Sequence, residues 1–311
     1  MIDFHRKMLA DKVRNAAFAE ALKRVVKPGE SVVADIGAGT GFLGILAGKL
    51  GAKECHLYET ADVWAVGKQI AEKNGITNCR FIHRYSTQVK NPVPADIVVS
   101  ETLGNYALEE HIVETMDDAR QRFLKPGGIL IPGILRQYAC PVVSDRLIQE
   151  FDIWADVGYG IDFDPARAIA FHNAYVRTMH TDDLLRGDGA VQVIDTIDFT
   201  EPNGSQRALS TQWKLAADMA VHGVALWWEA ELVPGVMLST SPYDKPTHWE
   251  QIFLPIPKPI QGKAGDALLL SLHSDTRLKT GMNLTWQLSL YREGKKTAES
   301  ALMDMRKGHL D

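Results

Sequence analysis

The sequence contains few cysteines, no long apolar run and no excess of basic residues, and each shortage excludes a class of protein. Cys55, Cys79 and Cys140 are odd in number and widely spaced, which argues against a disulfide framework and against a CxxC metal site. No run of about 18 apolar residues occurs and the N-terminal stretch is charged, so we expect neither a membrane span nor a secretory signal. The formal net charge of −5 gives no broad surface for nucleic acid. We therefore expect a cytoplasmic protein without a nucleic-acid or membrane partner.

The first half of the chain has the pattern of a parallel α/β sheet. With 311 residues, 45% of them hydrophobic, the chain has room for two cores. Up to about Pro132, short apolar strands alternate with helical stretches, which predicts a parallel sheet covered on both faces. The predicted strands are 31–35, 55–59, 79–83, 95–100 and 128–132. The predicted helices are 4–26 (one helix or two in sequence), 41–50, 61–74 and 108–123.

The second half has a different pattern. Short alternating runs separated by turn residues predict a mostly antiparallel β structure, a sandwich or a barrel. These runs are QYACPVV, QVIDTIDF, VALWWEAEL, EQIFLPI, ALLLSLHS and LTWQLSLY. A helical patch near 165–186 interrupts them as an insertion. We place the boundary near 132–135, and we expect the halves 1–132 and 133–311 to pack together, because no flexible linker separates them.

A glycine-rich turn, ADIGAGTG, follows the first predicted strand. Gly37, Gly39 and Gly41 stand between a strand and a helix, where glycine lets the backbone approach a ligand. The dinucleotide fingerprint needs a different glycine spacing, whereas G-x-G-x-G after an acidic residue (Asp35) is what class I methyltransferases use for S-adenosylmethionine. Glu59 ends the next strand, where a carboxylate can accept hydrogen bonds from two ribose hydroxyls. The alternative is a tight structural turn beside a solvent-facing Glu59.

Two carboxylates bracket a turn directly after another buried strand, in SETLGNYALEE. Like charges such as Glu101 and Glu110 cost free energy when brought together, unless a cation lies between them. Both acids would face the cofactor, since ligands bind at the carboxyl ends of such strands. A metal would recruit more ligands, and no DxD or HxxxH pattern is present. A planar guanidinium fits better, and beside a methyl donor it suggests arginine N-methylation.

With these motifs in place, the sequence resembles the protein arginine N-methyltransferase family over nearly its whole length. The fold implied is a Rossmann-like class I methyltransferase domain (1–132), then a mostly antiparallel β-barrel domain (133–311) with a helical dimerisation arm at about 150–186. A head-to-tail homodimer is implied as well. The motifs that carry the resemblance are FHRKMLADKVR, ADIGAGTG, SETLGNYALEE (the "double-E" loop), Lys125-Pro126-Gly127-Gly128 with Ile131-Pro132, and Thr247-His248-Trp249 (the "THW" loop).

The resemblance also implies roles for single residues. Glu101 and Glu110 would hold the substrate guanidinium, and Arg14 would pair with the cofactor carboxylate and brace Glu101. His248 would pair with Asp11. The implied catalytic residues are Met8, Asp11, Glu101, Glu110 and His248, and Trp249 joins the two acids in substrate binding. The implied residues for S-adenosylmethionine, whose product is S-adenosylhomocysteine, are Arg14, Asp35, Gly37, Gly39, Gly41, Glu59, Ser86 and Thr87.

The sequence departs from the family in three places. The family has a Tyr-Phe-x-x-Tyr helix ahead of the stretch that matches FHRKML, and the residues printed here contain no such motif, so we expect the site to be closed differently or to bind cofactor more weakly. The double-E loop usually begins Ser-Glu-Trp-Met-Gly-Tyr but here has Thr102 and Asn105, which puts the substrate in doubt. The residue near adenine is often acidic but is Thr87 here.

Simpler interpretations of these residues stay open from the sequence alone. Glu109, Glu110 and Glu114 could form an exposed acidic helix face, and only the nine-residue spacing prefers Glu110 over Glu109. Arg14 could be a surface charge. Trp227 and Trp228 are expected to lie on opposite faces of one strand, one in the core and one outside.

Three rival functions differ from methylation of arginine in proteins or peptides. The first is methylation of a small guanidine compound or a natural-product peptide. The second is a non-catalytic cofactor-binding scaffold. A nucleic-acid methyltransferase is weaker, because no Asn/Asp-Pro-Pro-Tyr motif and no basic stripe occur.

Overall fold

The computed structural model describes residues 2–309. In its first half, helices alternate with strands as the sequence predicts. These elements are α1 (Ile2–Ala10), α2 (Lys12–Val25), β1 (Val32–Ile36), α3 (Phe42–Lys49), β2 (Glu54–Glu59), α4 (Trp64–Lys73), β3 (Cys79–His83), β4 (Ala95–Ser100), α5 (Ile112–Arg122) and β5 (Leu124–Ile131).

The five strands of the first half form one parallel sheet in the order β3-β2-β1-β4-β5. The chain reverses direction along the sheet between β1 and β4, which are neighbours. In such sheets a crevice opens at the carboxyl ends of the strands where the order reverses. The loops after β1 and β4 are the glycine turn and the double-E loop, so the topology brings the two predicted motifs together.

The predicted N-terminal helix is two helices, and Asp11 separates them. Asp11 has extended backbone angles, and its side chain accepts a hydrogen bond from the Arg14 backbone N–H, as an N-cap residue does. Helix α2 buries Phe18, Ala21 and Leu22, whereas α1 has no buried residue. Helix α1 therefore gains little from core packing and lies over the cavity described below.

The second half is built from antiparallel strands with two short helices. Its elements are β6 (Ile134–Val142), α6 (Arg146–Phe151), α7 (Asp164–Ala170), β7 (Tyr175–Arg177), β8 (Gln192–Asp198), β9 (Gln206–Lys214), β10 (Met219–Val233), β11 (Val236–Ser239), β12 (Gln251–Gly262), β13 (Ala267–Asp275), β14 (Asn283–Arg292) and β15 (Lys295–Asp304). One sheet has the order β7-β12-β10-β6-β8 with β11 on β10, and the other β15-β14-β13-β9. The antiparallel prediction is confirmed, and closure into a barrel stays a prediction.

The helical patch expected at 165–186 is largely wrong. Only α7 and one 3₁₀ turn at Thr181–Asp183 are helical there, and Tyr175–Arg177 forms the edge strand β7, which pairs with β12. The aromatic ring of Tyr175 packs against Phe151, which itself meets Phe171 edge-on. Tertiary packing of a β-favouring Tyr-Val pair overrides the helical periodicity here.

The junction between the halves is short. Only Pro132 and Gly133 separate β5 from β6, and the Gly133 N–H donates to the Glu231 carbonyl across the junction. The buried apolar side chains of both halves form one continuous core. We propose the domain division at 132–133 on these grounds. Across residues 2–309, no helix combines the length and the apolar character needed to cross a membrane.

Candidate active site

A cavity of about 530 Å³ opens at the carboxyl edge of the parallel sheet, beneath α1. Its wall includes the glycine turn, the end of β2, the loop after β3 and the double-E loop. The predicted site residues that line it are Met8, Arg14, Asp35, Gly37, Gly39, Glu59, Ser86, Thr87, Glu101 and Glu110. Four predicted site residues do not line it: Asp11, Gly41, His248 and Trp249.

The glycine turn gives the cavity a wall of bare backbone. Gly37, Gly39 and Gly41 all have positive φ, at 72°, 54° and 81°, a region that L side chains rarely adopt. A Cβ on Gly39 would lie 2.9 Å from the ring of His5 in α1. Gly41 instead precedes α3, and its Cβ would collide with Phe81. Gly37 and Gly39 therefore line the cavity with bare backbone, whereas Gly41 permits close packing behind it.

Two acids hold the turn in shape. The Asp35 carboxylate is buried and accepts a hydrogen bond from the Gly44 N–H in α3. Burial raises the pKa of Asp35 to about 7. Glu59 accepts three backbone hydrogen bonds, each 2.7 Å long, from the N–H groups of Gly39, Thr60 and Ala61. Glu59 thus ties the end of β2 to the glycine turn and faces the cavity.

The loop after β3 forms the far wall. Ser86 is buried and Thr87 is exposed. Arg122 of α5 donates to the carbonyls of Ser86 (2.8 Å) and Val89 (2.6 Å), while Asp118 holds the same guanidinium. This arrangement fixes the loop against α5.

Glu101 is the buried member of the predicted pair of acids. Both Arg14 Nε (2.7 Å) and Arg14 Nη2 donate to Glu101 Oε2, and the two side chains are only 4% and 5% exposed. Burial raises the pKa of Glu101, and the Arg14 guanidinium opposes that shift. The structure thus shows Arg14 bracing Glu101 rather than standing on the surface.

Glu110 faces the open part of the cavity, and Glu109 does not line it. Glu109 instead accepts a 2.7 Å hydrogen bond from the Asn105 N–H inside the loop. Desolvation by the surrounding protein, followed by the negative charges of Glu101 and Glu109, raises the pKa of Glu110 to about 7. A cation in the cavity would relieve this repulsion. Geometry therefore favours Glu110 over Glu109 as the second acid.

Asp11 and His248 form a pair beside the cavity. Asp11 Oδ2 accepts from His248 Nδ1 (2.8 Å) and from the His248 backbone N–H (2.9 Å). Burial works to raise the pKa of Asp11, but hydrogen bonds from the Arg14 backbone and from His248 together hold it below its usual value. The pair joins the start of α2 to the THW loop, and through Arg14 it adjoins Glu101.

Two tryptophans donate hydrogen bonds to backbone carbonyls of the double-E loop and hold it in place. Trp249 Nε1 donates to the Leu103 carbonyl (2.6 Å), and Trp228 Nε1 donates to the Gly104 carbonyl (3.0 Å). Both indoles are buried and meet at 70°. Trp249 was predicted to bind substrate, but in this geometry it supports the loop that carries the acids.

The prediction that one of Trp227 and Trp228 lies outside the core is wrong, since both are buried. Strand β10 is an inner strand with both faces covered. Trp228 packs under the double-E loop, and Trp227 stacks on Tyr138 with Tyr243 at its edge.

Several cavity residues were not predicted from the sequence as site residues. His5 lies one helical turn before Met8–Leu9 and has an enclosed Nδ1 without a partner. Its spacing from Met8 was the available signal. His111 has φ 62° and Nδ1 2.9 Å from the Thr276 carbonyl. No sequence signal marks that long-range contact.

Family models match both halves of the chain. A model described as the arginine methyltransferase oligomerization subdomain matches residues 136–290. A model of ribosomal protein L11 methyltransferase (PrmA) matches residues 17–157. The first match spans most of the antiparallel half, and the second includes all five strands of the parallel sheet.

Curated relatives and a solved structure agree with these models. "Probable protein arginine N-methyltransferase 6.1" of Oryza sativa subsp. indica is 28% identical over 299 residues, which covers 84% of this chain and 78% of the relative. "Protein arginine N-methyltransferase 6" of Xenopus laevis is 29% identical over 275 residues, with coverage of 84% and 80%. The Trypanosoma brucei PRMT1 enzyme-prozyme heterotetrameric complex with AdoHcy shares the fold, with a TM-score of 0.84 at 24% identity, over 97% of this chain and 98% of that one. This chain therefore belongs to the protein arginine N-methyltransferase family.

Proposed function

We propose that the protein transfers a methyl group from S-adenosylmethionine to a guanidino nitrogen of arginine in proteins or peptides. The observation that supports this most is the pair of acids beside the glycine turn. Glu101 is fixed by Arg14, and Glu110 faces the same cavity with a raised pKa. Such a pair suits a planar cation with several N–H donors.

The residues around the glycine turn fit the cofactor. Gly39 lines the cavity without a side chain and has φ of 54°, so it presents bare backbone to a ligand there. His5 Nδ1 is enclosed without a hydrogen-bond partner, which is a cost that a bound ligand can relieve. Glu59 already accepts three backbone N–H groups, out of about four acceptor positions on a carboxylate. A ribose that places both hydroxyls on Glu59 would therefore displace one of these donors.

When bound, S-adenosylmethionine supplies an electrophilic methyl group. The acids act on the acceptor, because a guanidinium with a pKa of about 12.5 or higher is a poor nucleophile. Glu101 and Glu110 accept hydrogen bonds from it, which orients one nitrogen and biases the positive charge onto the others. Glu110 is placed to accept the proton that the attacking nitrogen loses. The Asp11–His248 pair keeps α2, and with it Arg14, in position.

The pH dependence of kcat/KM should follow Glu110. Holding the guanidinium between Glu101 and Glu110 (the guanidinium clamp) requires the ionised Glu110 carboxylate, whose pKa in the free protein is raised to about 7. Values of kcat/KM should therefore fall by about tenfold per pH unit below pH 7 and level off above it. The measurement is a profile from pH 5.5 to 9 with a peptide substrate. A flat profile down to pH 5.5 would contradict the assignment.

Replacing Gly39 with alanine should weaken cofactor binding. The new Cβ would meet His5 in the cavity wall, and φ of 54° adds backbone strain of roughly 1–2 kcal/mol. Gly75→Ala is the matched control, since Gly75 has φ of 67° and open space around its Cβ. Titration calorimetry with S-adenosylhomocysteine should show weakened binding only for Gly39→Ala. Equal affinities for the two variants would place the cofactor elsewhere.

A parallel assay identifies which compound accepts the methyl group. Labelled S-adenosylmethionine is incubated with an arginine-rich peptide, free arginine and agmatine, and product masses are read. Label on the peptide supports the proposal. Label only on the small compounds supports the rival small-guanidine enzyme, which the altered double-E loop at Thr102 and Asn105 motivates. Cofactor binding without label on any acceptor supports the non-catalytic scaffold.

We further propose that the segment at about 150–186 mediates a homodimer. It exposes Ile153, Tyr159 and Ile161, with Tyr159 95% exposed, and it lies within the matched oligomerization subdomain. Sedimentation of Tyr159→Ser/Ile161→Ser should show monomers where the parent protein shows dimers. Dimers in both would move the interface elsewhere.

We also propose a cytoplasmic location. The described chain has three free cysteines, two of them buried, as expected in a reducing compartment. Recovery of the native protein in an exported fraction after cell fractionation would contradict this.

A further inference from the structure

The carboxylate of Glu110 lacks the direct support that its partner acid has. Arg14 donates hydrogen bonds to the Glu101 carboxylate and fixes it. Residues 2–309 contain no side chain that donates a hydrogen bond to Glu110, on which burial and the charges of Glu101 and Glu109 act. The place of the Glu110 carboxylate in the cavity therefore depends on the backbone that carries it.

The residue directly after Glu110 has an unusual backbone conformation. His111 has φ 62° and ψ 30°, in the left-handed region that residues other than glycine adopt uncommonly. The double-E loop turns into α5 here, since the His111 N–H donates to the Leu108 carbonyl (3.2 Å) and the His111 carbonyl accepts from the Thr115 N–H (3.0 Å). Such a conformation persists only where the surroundings hold it. It also sets the direction in which Glu110 leaves the loop.

The imidazole of His111 is held from the antiparallel half of the chain. Its Nδ1 lies 2.9 Å from the carbonyl oxygen of Thr276, directly after β13. A carbonyl oxygen only accepts, so Nδ1 carries a proton and donates the hydrogen bond. Thr276 is fully buried, and its own N–H donates to the Ser205 carbonyl (3.0 Å). The acceptor is therefore fixed in place.

The end of β13 also contacts the beginning of the segment that carries the two glutamates. Tyr106 is buried, and burial raises the pKa of its phenol to about 12, while the neighbouring hydroxyl of Ser274 and amide of Gln137 oppose that shift. Ser274 is the last residue but one of β13. Residues 106–111 are thus held against the end of this strand on both sides of Glu109 and Glu110.

We propose that His111 is a positioning residue for the guanidinium clamp. Its hydrogen bond to Thr276 stabilises the left-handed turn, and this turn directs the Glu110 carboxylate into the cavity beside Glu101. The antiparallel half of the chain thus sets the geometry of an acid that belongs to the parallel half. The inference rests on the proposed function and adds to it the residue that holds the second acid in place.

Two variants separate the side-chain hydrogen bond from the backbone conformation. His111→Gly keeps the turn accessible, because glycine adopts positive φ without strain, but it removes the donor. His111→Asn keeps both features, because asparagine adopts this conformation more readily than most residues and its Nδ2 stands as many bonds from Cα as the histidine Nδ1. Both variants lack the imidazole, so its titration does not cause a difference between them.

Glu293→Gly is the matched control for a glycine placed at a left-handed residue. Glu293 has φ 48° in an exposed turn and does not line the cavity. Initial rates with an arginine-rich peptide and labelled S-adenosylmethionine give kcat and KM from pH 5.5 to 9. Calorimetry gives the affinity for S-adenosylhomocysteine, and thermal unfolding shows that each variant is folded.

His111→Gly should lower kcat/KM at pH 8 by about tenfold or more, as misplacement of a catalytic group does. Its cofactor affinity and melting temperature should stay close to those of the parent protein. The midpoint of its pH profile should lie below that of the parent, because a Glu110 without a fixed backbone moves toward water and away from Glu101. His111→Asn and Glu293→Gly should keep both the activity and the midpoint of the parent.

Several results would overturn the role of His111 and leave the proposed function intact. Full activity in His111→Gly, or equal losses in His111→Gly and His111→Asn, would show that the hydrogen bond does not position the acid. A lower kcat with an unchanged KM and pH midpoint would show a structural role only. A loss of cofactor affinity that accounts for the loss of activity would place His111 at the cofactor. A parent protein that methylates no acceptor contradicts the proposed function itself.

Discussion

Replacing Glu110 with glutamine should lower kcat/KM for a peptide substrate by roughly 100- to 1,000-fold. The amide keeps the shape of the side chain but removes the charge that orients the guanidinium. Cofactor affinity should change little, because Glu110 lies in the double-E loop and not at the glycine turn. Initial rates with labelled S-adenosylmethionine, together with calorimetry of S-adenosylhomocysteine, measure the two effects separately.

Glu109→Gln is the matched control for this variant. It removes the same charge one residue away, and its amide oxygen can still accept from the Asn105 N–H, so activity should remain within a few-fold of the parent, about threefold. Equal losses in the two variants would mean that the loop's net charge matters and not the position of Glu110.

Stability provides a further check on Glu110→Gln. The pKa of Glu110 rises from 4.5 to about 7 in the folded protein, so the native state binds a proton more strongly than the unfolded chain does. Its contribution to the free energy of unfolding therefore falls as pH rises from about 4.5 to 7 and stays low above that. Glu110→Gln should melt at a higher temperature than the parent at pH 8 and at the same temperature near pH 4.5.

Arg14→Ala should destabilise the protein by about 3–5 kcal/mol at pH 8, because it leaves the buried Glu101 carboxylate without its cation. Activity should be lost as well, since Glu101 loses its fixed position. The destabilisation should shrink as pH falls, because a protonated Glu101 needs no partner. Urea unfolding at pH 8 and pH 5 measures both values.

The double variant Arg14→Met/Glu101→Met tests whether the ion pair as a whole contributes to stability. Replacing both partners with apolar side chains of similar length should restore most of the stability and none of the activity. A cost below about 1 kcal/mol for Arg14→Ala at pH 8 would show that Glu101 does not depend on Arg14 for its charge balance.

The parts of the site that follow strand ends could be predicted from the sequence. Gly37, Gly39, Glu59 and Glu101 come directly after short apolar runs, and parallel sheets place such residues on one edge. The two halves of the fold could be predicted as well, because the spacing of their hydrophobic residues differs. Strand β15 was missed because it is polar and mostly exposed, so alternation is weak in it, and β7 and β11 were missed because they have only three and four residues.

The contacts that hold the double-E loop could not be foreseen. Helix α5 begins at Ile112, four residues later than the predicted start at 108, because the loop before it is held by Trp228 and Trp249, which lie more than a hundred residues away. The same long-range packing separates Glu109 from Glu110, which no local pattern distinguishes. Glu114, for which the sequence left open an exposed helix face, has an enclosed carboxylate oxygen in the cavity wall.

The position of the transferred methyl group tests the guanidinium clamp most directly. An arginine-rich peptide and its Arg-to-Lys counterpart are incubated with labelled S-adenosylmethionine and the parent protein or Glu110→Gln, and the products are fragmented in a mass spectrometer. We predict added methyl mass on a guanidino nitrogen of the arginine peptide, absent from the lysine peptide and nearly absent with Glu110→Gln. Methyl groups on lysine, or full activity in Glu110→Gln, would contradict the guanidinium clamp.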